Sequence, residues 1–158
     1  MHSPFQSYEQ KAENIIEVNK YMVVSTCGKK GKPWAAAVFY VYDYKGNFYF
    51  LSAVDSLHIK NGIENPNVSL VIFDSNQPLG TSDSVQVEGK LSVAKKADIK
   101  KVITLYCKKL FPRSELSPFE RYNPDDYTGV SEFQFFKIEV AKAYTSGPDR
   151  RVEVELRR

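Results

Sequence analysis

The sequence predicts a mainly β, α+β fold: an antiparallel barrel of six strands with flanking helices. Three observations lead there. At least six segments rich in Val, Ile, Tyr and Phe follow one another in hairpin order. Turns bearing Gly or Pro separate most of them. Helical periodicity is confined to two longer stretches and one short one. Many short strands with few helices close most readily as a barrel.

Each element has its own reason. Ser7 to Asn19 predicts a helix, with Tyr8, Ala12, Ile15 and Ile16 on one face. Tyr21 to Cys27 is a run of β formers. The Gly28-Lys-Lys-Gly31 segment predicts a tight turn with positive φ at both glycines. Pro33 to Asp43 is a long second strand, residues 44–47 a second hairpin turn, and Asn47 to Ala53 a third strand. Asp55 or Ser56 is placed to cap a short helix that Pro66 ends. Val68 to Ser75 is nearly continuously apolar, which predicts a strand buried on both faces. Residues 76–83 are polar and hold Pro78 and Gly80, as a loop does. Ser84 to Ala94 alternates around Gly89, a candidate bulge. Asp98 to Leu110 places Ile99, Val102, Ile103, Tyr106 and Leu110 on one helical face. Residues 113–128, with Pro118 and Pro124, read as irregular. Ser131 to Lys142 is a sixth strand, and Arg151 to Leu156 a short charged one. The organisation expected is one domain over residues 1–158: a helix at 7–19, barrel core at 21–94, a helix at 98–110 and C-terminal strands at 131–156.

Composition narrows the function. The chain has 158 residues, 22 basic and 19 acidic side chains, and a formal charge of +3. So balanced a charge lacks the basic stripe of a duplex-DNA binder, and nucleic acid is not expected as a partner. Two Cys and two His, scattered along the chain, fit no zinc spacing, so no metal is assigned. No apolar run approaches the ~18 residues of a membrane span. The start, Met1-His2-Ser3-Pro4, lacks the basic and apolar regions of a signal peptide. A cytoplasmic protein is expected. Lys95, Lys96, Lys100, Lys101, Lys108 and Lys109 read as the solvated face of the second long helix.

Two stretches hold candidate chemistry. In Ser52 to Asn61, Ser56, His58, Lys60 and Asn61 bring a hydroxyl, an imidazole, an ammonium and an amide to one helix start. Unpaired backbone N–H groups and partial positive charge lie there too, so the set could cradle a phosphate. Taken alone, these residues read equally as an ordinary cap with solvated neighbours. In Trp34 to Val38, three consecutive Ala leave the backbone open to a flat ligand; alternatively they fill a narrow barrel interior.

The order of short pieces adds a resemblance. Lys32-Pro33-Trp34, Phe48 to Ser52, Ser56-Leu57-His58, Asn65-Pro66 with Val68-Ser69, and Val87-Glu88-Gly89 follow in sequence. Over about residues 7 to 140 the chain resembles the pyridoxamine 5′-phosphate oxidase-like superfamily of FMN-binding split barrels, closest to a small, poorly characterised bacterial branch. The resemblance implies a homodimer with FMN in a cleft between protomers. It implies cofactor contacts from Trp34, Ala36, Ala37, Val38, Leu51, Ser52, Ser56 and His58, with Lys60 and Asn61 in support. His58 stands where the oxidases carry a Lys, Leu57 where they carry an Arg, and Ser84 where they use a Gln; Gln86 is expected on the opposite face from Ser84. No Trp follows Trp34, so the pyridoxine-holding tail is missing, and pyridoxamine phosphate oxidation is not expected. The function implied is a flavin-dependent oxidoreductase acting on a small molecule, with no catalytic residue assigned. The alternatives are a non-catalytic flavin or haem carrier and a dimeric interaction protein that has lost its cofactor. The 21 aromatic residues exceed what one small barrel interior encloses, so part of them is expected in a dimer interface.

Overall fold

A computed structural model describes residues 7–43 and 45–156. Tyr44 of the second hairpin turn, the Met1-His2-Ser3-Pro4 start and the last two arginines lie outside the described residues.

The elements run α1 (Tyr8–Val18), β1 (Tyr21–Cys27), β2 (Pro33–Tyr42), β3 (Phe48–Ala53), α2 (Leu57–Glu64), β4 (Asn67–Phe73), β5 (Ser84–Val93), α3 (Lys96–Leu110), α4 (Pro118–Arg121), a 3₁₀ turn (Pro124–Tyr127), β6 (Phe133–Ser146) and β7 (Arg151–Val154). The strands pair in the order β3-β2-β1-β4-β5-β6-β7, every pair antiparallel. A further β3–β6 pairing closes the first six into a barrel, and β7 extends β6.

Local chemistry sets the boundaries. Ser7 and Gln10 form a capping box, with Gln10 N–H donating to Ser7 Oγ at 3.2 Å and Ser7 N–H to Gln10 Oε1 at 3.1 Å. Asp43 Oδ1 accepts the backbone N–H of Lys45 and of Asn47, each at 2.9 Å, and so builds the β2–β3 turn. Gly46 completes that turn at φ +80°. The pairing register of β5 on β6 shifts between Glu88 and Gly89, as the candidate bulge requires. A Cβ at Gly89 would lie 2.7 Å from Ile138 Cγ2 and 2.8 Å from Glu139 O, so the bulge admits no side chain.

Several expectations change. In the first turn only Gly31 has positive φ; Gly28 is small because a Cβ would meet Asn61 Oδ1 at 2.9 Å. β4 is not buried on both faces: Val68, Leu70 and Ile72 face the core, while Ser69 and Phe73 are exposed. It is one wall of a barrel whose outer side is uncovered here, so burial alternates despite the apolar run. α3 starts two residues early, and its Leu110 is exposed where the helix runs past the sheet. The 113–128 stretch holds a helical turn, α4, capped by Ser117 and Glu120. Gln86 and Ser84 share a face, two residues apart, and Gln86 Nε2 donates to Ser84 Oγ at 3.0 Å.

Eight of the described aromatics are buried within the single chain, while Tyr8, Tyr21, Trp34, Phe73, Phe111, Phe119 and Phe133 are exposed. Alternate strand residues feed two cores. Tyr40, Tyr42, Phe48, Phe50, Phe136 and Ile138 fill the barrel with Ile16 of α1 and Ile59 of α2. Val41, Tyr49 and Phe135 point outwards, where Ile99, Val102, Ile103 and Tyr106 of α3 cover them. The second core encloses three rings, Tyr49, Tyr106 and Phe135, that the barrel interior does not. Phe39 of β2 is half-buried. The face of α3 is also less solvated than its lysine pairs imply. Lys101 reaches Asp43, and Lys109 Nζ lies 3.6 Å above the centre of the Tyr40 ring.

Candidate functional site

β2 and β3 pair over only three positions, Tyr40 with Phe50, Val41 with Tyr49 and Tyr42 with Phe48. Beyond these they part. Pro33 to Phe39 pairs with β1 alone, and Leu51 to Ala53 pairs with β6 alone. The parting leaves a split in the barrel wall, with one backbone edge of Trp34–Val38 free of any strand among the described residues. Along it Trp34 is 46% exposed, Ala35 and Ala37 are exposed and Ala36 is half-buried. The alanines therefore do not fill the barrel interior. Val38, by contrast, is buried in the barrel core, and Leu51 packs its side chain against the layer beneath α3.

The chain leaves β3 through a turn that opens α2. The helix is fixed from below: Ile59 enters the barrel core, and Gly62 lies against Leu91, whose methyl carbons would be 3.1 Å from a Cβ. Asn61 Nδ2 donates to Thr26 Oγ1 at 3.3 Å, and Asn65 Nδ2 to Cys27 O at 3.0 Å. These two amides tie α2 to β1. Asn61 is thus engaged with the barrel rather than with the helix start.

At that start three side chains meet. Ser52 Oγ is 3.0 Å from His58 Nε2, 3.3 Å from Ser56 Oγ and 3.4 Å from Ala53 O. Ser56 occupies the N-cap position, yet its hydroxyl makes no capping bond. Its carbonyl accepts from Ile59 and Lys60, while the N–H groups of Leu57 and His58 have no backbone partner among the described residues. No acidic residue stands in the first turn of α2. The Phe50 ring lies beside the imidazole, with centroids 6.1 Å apart. Burial lowers the His58 pKa below its ordinary value, so the ring favours its neutral form. Lys60 is exposed two residues further on.

Ser52, Ser56 and His58 are therefore one cluster, with Lys60 nearby, and Trp34 to Ala37 line the split in the wall. The role of Ser52 in joining the two was not readable from spacing, because its partner lies six residues on, across a turn. Thr26, which holds Asn61, gave no sequence signal either. Cys107 lies on the buried face of α3, and burial raises its pKa.

The family model for pyridoxamine 5′-phosphate oxidase matches residues 8–147. The chain belongs to this family. No curated protein sequence matches it. Among solved structures, a haem-binding protein from Mycobacterium smegmatis superposes with a TM-score of 0.73 at 18% identity, over 98% of this chain and 59% of that one. The chain thus spans little more than half the length of that relative. A protein of the pyridoxinephosphate oxidase family from Clostridium acetobutylicum gives 0.66 at 14% identity over 94% of each chain. HutZ, the haem storage protein of Vibrio cholerae, gives 0.64 at 15% over 89% and 95%. At these identities the likeness is one of fold.

FMN is the cofactor that members of this family often carry. The donor set at α2 suits its phosphate in kind: a hydroxyl, two N–H groups, an imidazole and an ammonium, without a carboxylate in the first turn. In charge it is sparse. Leu57 offers no cation, and burial disfavours the charged form of the imidazole.

Proposed function

We propose that the protein is an FMN-binding split-barrel homodimer and a flavin-dependent oxidoreductase acting on a small molecule other than pyridoxamine phosphate. The observation that supports this most is the joining of two features. An open backbone edge at Trp34–Val38 offers a platform for a flat ring system. Ser56, His58 and the free N–H groups of Leu57 and His58 offer donors for a phosphate at the start of α2. FMN would supply the hydride and electron chemistry; the protein would bind and orient it. Ser56 and His58 would hold the phosphate, with Lys60 adding charge. Leu51 and Asn61 support the cleft from behind, one through the α3 layer and the other through Thr26.

The test is a titration with FMN, followed by flavin fluorescence, on the wild type and on Ser56→Ala/His58→Ala. The double variant is expected to weaken FMN binding at least tenfold while keeping the far-ultraviolet circular dichroism of the wild type. Equal dissociation constants would sink the assignment.

A haem carrier is the second reading. Its support is the uncharged His58 imidazole, whose Nδ1 has no hydrogen-bond partner among the described residues and could ligate iron. Haem titration distinguishes it: a Soret band that shifts in His58→Ala favours haem over FMN.

A further inference from the structure

We infer that His58 takes up a proton when a phosphate monoester dianion docks at the start of α2, with Ser52 the positioning hydroxyl that turns to accept from the ring. This rests on the proposed FMN site and concerns how that site acquires its charge.

The argument begins with donor counting. A Ser hydroxyl has one proton to give and two lone pairs to accept with. Ser52 Oγ has three neighbours: His58 Nε2, Ser56 Oγ and the Ala53 carbonyl. In a neutral ring Nε2 either donates or accepts. In an imidazolium both nitrogens donate, so Ser52 must accept from Nε2 and send its own proton elsewhere. The Ala53 carbonyl, an acceptor only, is positioned to receive it at 3.4 Å. The network therefore accommodates both ring states without setting a donor against a donor. Nδ1, unpartnered among the described residues, is left to donate to the incoming anion.

The surroundings favour a neutral imidazole before an anion docks. β1, β2 and β3 contribute no carboxylate, ammonium or guanidinium, only Tyr21, Tyr40, Tyr42, Tyr49 and Cys27 as titratable groups. Of β5, Glu88 and Lys90 are exposed; of β6, which pairs with β3 at Ser52, Lys137 is ion-paired with the exposed Glu139, and Lys142 is exposed. On the turn and helix itself, Asp55, Lys60 and Glu64 are exposed. Burial alone lowers the ring's pKa. A dianion at hydrogen-bond distance reverses the balance, because opposite charge favours the charged form. One proton then passes from solvent to the ring for each phosphate bound.

The test compares FMN with riboflavin, which lacks the phosphate, on the full-length chain between pH 6.5 and 8.5. Above pH 6.5 the FMN phosphate is largely dianionic, so the ring is the group expected to titrate. The FMN dissociation constant is expected to rise roughly tenfold over this range, and the riboflavin constant to stay within twofold. Calorimetry in two buffers of different ionisation heat should show uptake approaching one proton per FMN. His58→Gln should abolish the uptake, and Ser52→Ala should reduce it. FMN binding that is flat with pH and takes up no proton overturns the inference and leaves the FMN site standing. A riboflavin slope equal to that of FMN overturns it too, since the phosphate is then not the cause. No FMN binding at any pH overturns both.

Discussion

Lys101 Nζ lies 2.8 Å from Asp43 Oδ2, and the Asp43 side chain is fully buried. The pair joins α3 to the turn between β2 and β3. Tyr49 takes part on both sides: its hydroxyl is 3.2 Å from Asp43 Oδ2 and 3.3 Å from Lys101 Nζ. Asp98, one helical turn before Lys101, adds a second carboxylate at 3.3 Å. Burial by itself would raise the Asp43 pKa, but hydrogen bonds from Lys101 and Asn47 outweigh it and hold the carboxyl below its usual range. Burial, aided by the Asp43 charge, pushes the Tyr49 hydroxyl up to about 12 against the pull of Lys101, so it stays protonated and able to donate.

Lys101→Met is therefore expected to lower stability by about 2–4 kcal/mol at pH 7, because it leaves a buried carboxylate without its cation. The sign of the pH dependence follows from the depressed Asp43 pKa. The stability that Asp43 contributes is present above the unfolded carboxylate value of about 3.9 and is lost as pH falls through the folded one. The gap between wild type and variant should shrink when urea unfolding is repeated at pH 3. A gap of the same size at both values would show that the pair does not carry the effect.

A second expectation concerns the hairpin beneath that pair. Gly46 and Gly31 both have positive φ, +80° and +74°. A Cβ at Gly31 meets nothing within 4 Å, whereas at Gly46 it would lie 2.5 Å from Leu156 O. Gly31→Ala should cost about 1 kcal/mol from backbone strain alone. Gly46→Ala should cost about 2–4 kcal/mol, since the segment after β7 must also move. Thermal unfolding of the two variants checks the difference in rank.

The barrel was legible because its strands alternate and its turns carry their own chemistry; the Asp43–Asn47 turn and the Gly89 bulge follow from residue type and spacing. What was not legible depended on elements distant in sequence. Whether β4 is covered on one face or two depends on what packs outside it, and its apolar run does not encode that. Lys101 reads as a surface residue until β3 and α3 are brought together. The same holds for the candidate site. Ser56 and His58 announce themselves at a helix start, but the Ser52 contact needs the turn geometry, and Asn61 is drawn off by Thr26 on another strand. The aromatic count shows the same limit: the number of rings is in the sequence, while the second core that encloses Tyr49, Tyr106 and Phe135 is made by α3.

That second core gives the last expectation. Phe135 and Phe133 lie two apart on β6 and project to the same side of the sheet. Phe135 is 1% exposed and meets the rings of Tyr106 and Tyr127, with centroids 5.4 and 5.1 Å away. Phe133 is 46% exposed and pairs with Ala53 where the strand begins. If the α3 layer is packed as tightly as the barrel interior, Phe135→Ala should cost about 3–5 kcal/mol. Phe133→Ala should cost less than about 1 kcal/mol in the isolated protomer, because its ring is half in solvent. Urea unfolding measured at low and high protein concentration separates the two effects. A Phe133→Ala cost that grows with concentration would mean that a second copy covers this ring. A Phe135→Ala cost below about 1 kcal/mol would mean that α3 rests loosely on the barrel, and the Lys101–Asp43 pair would then be its main tether.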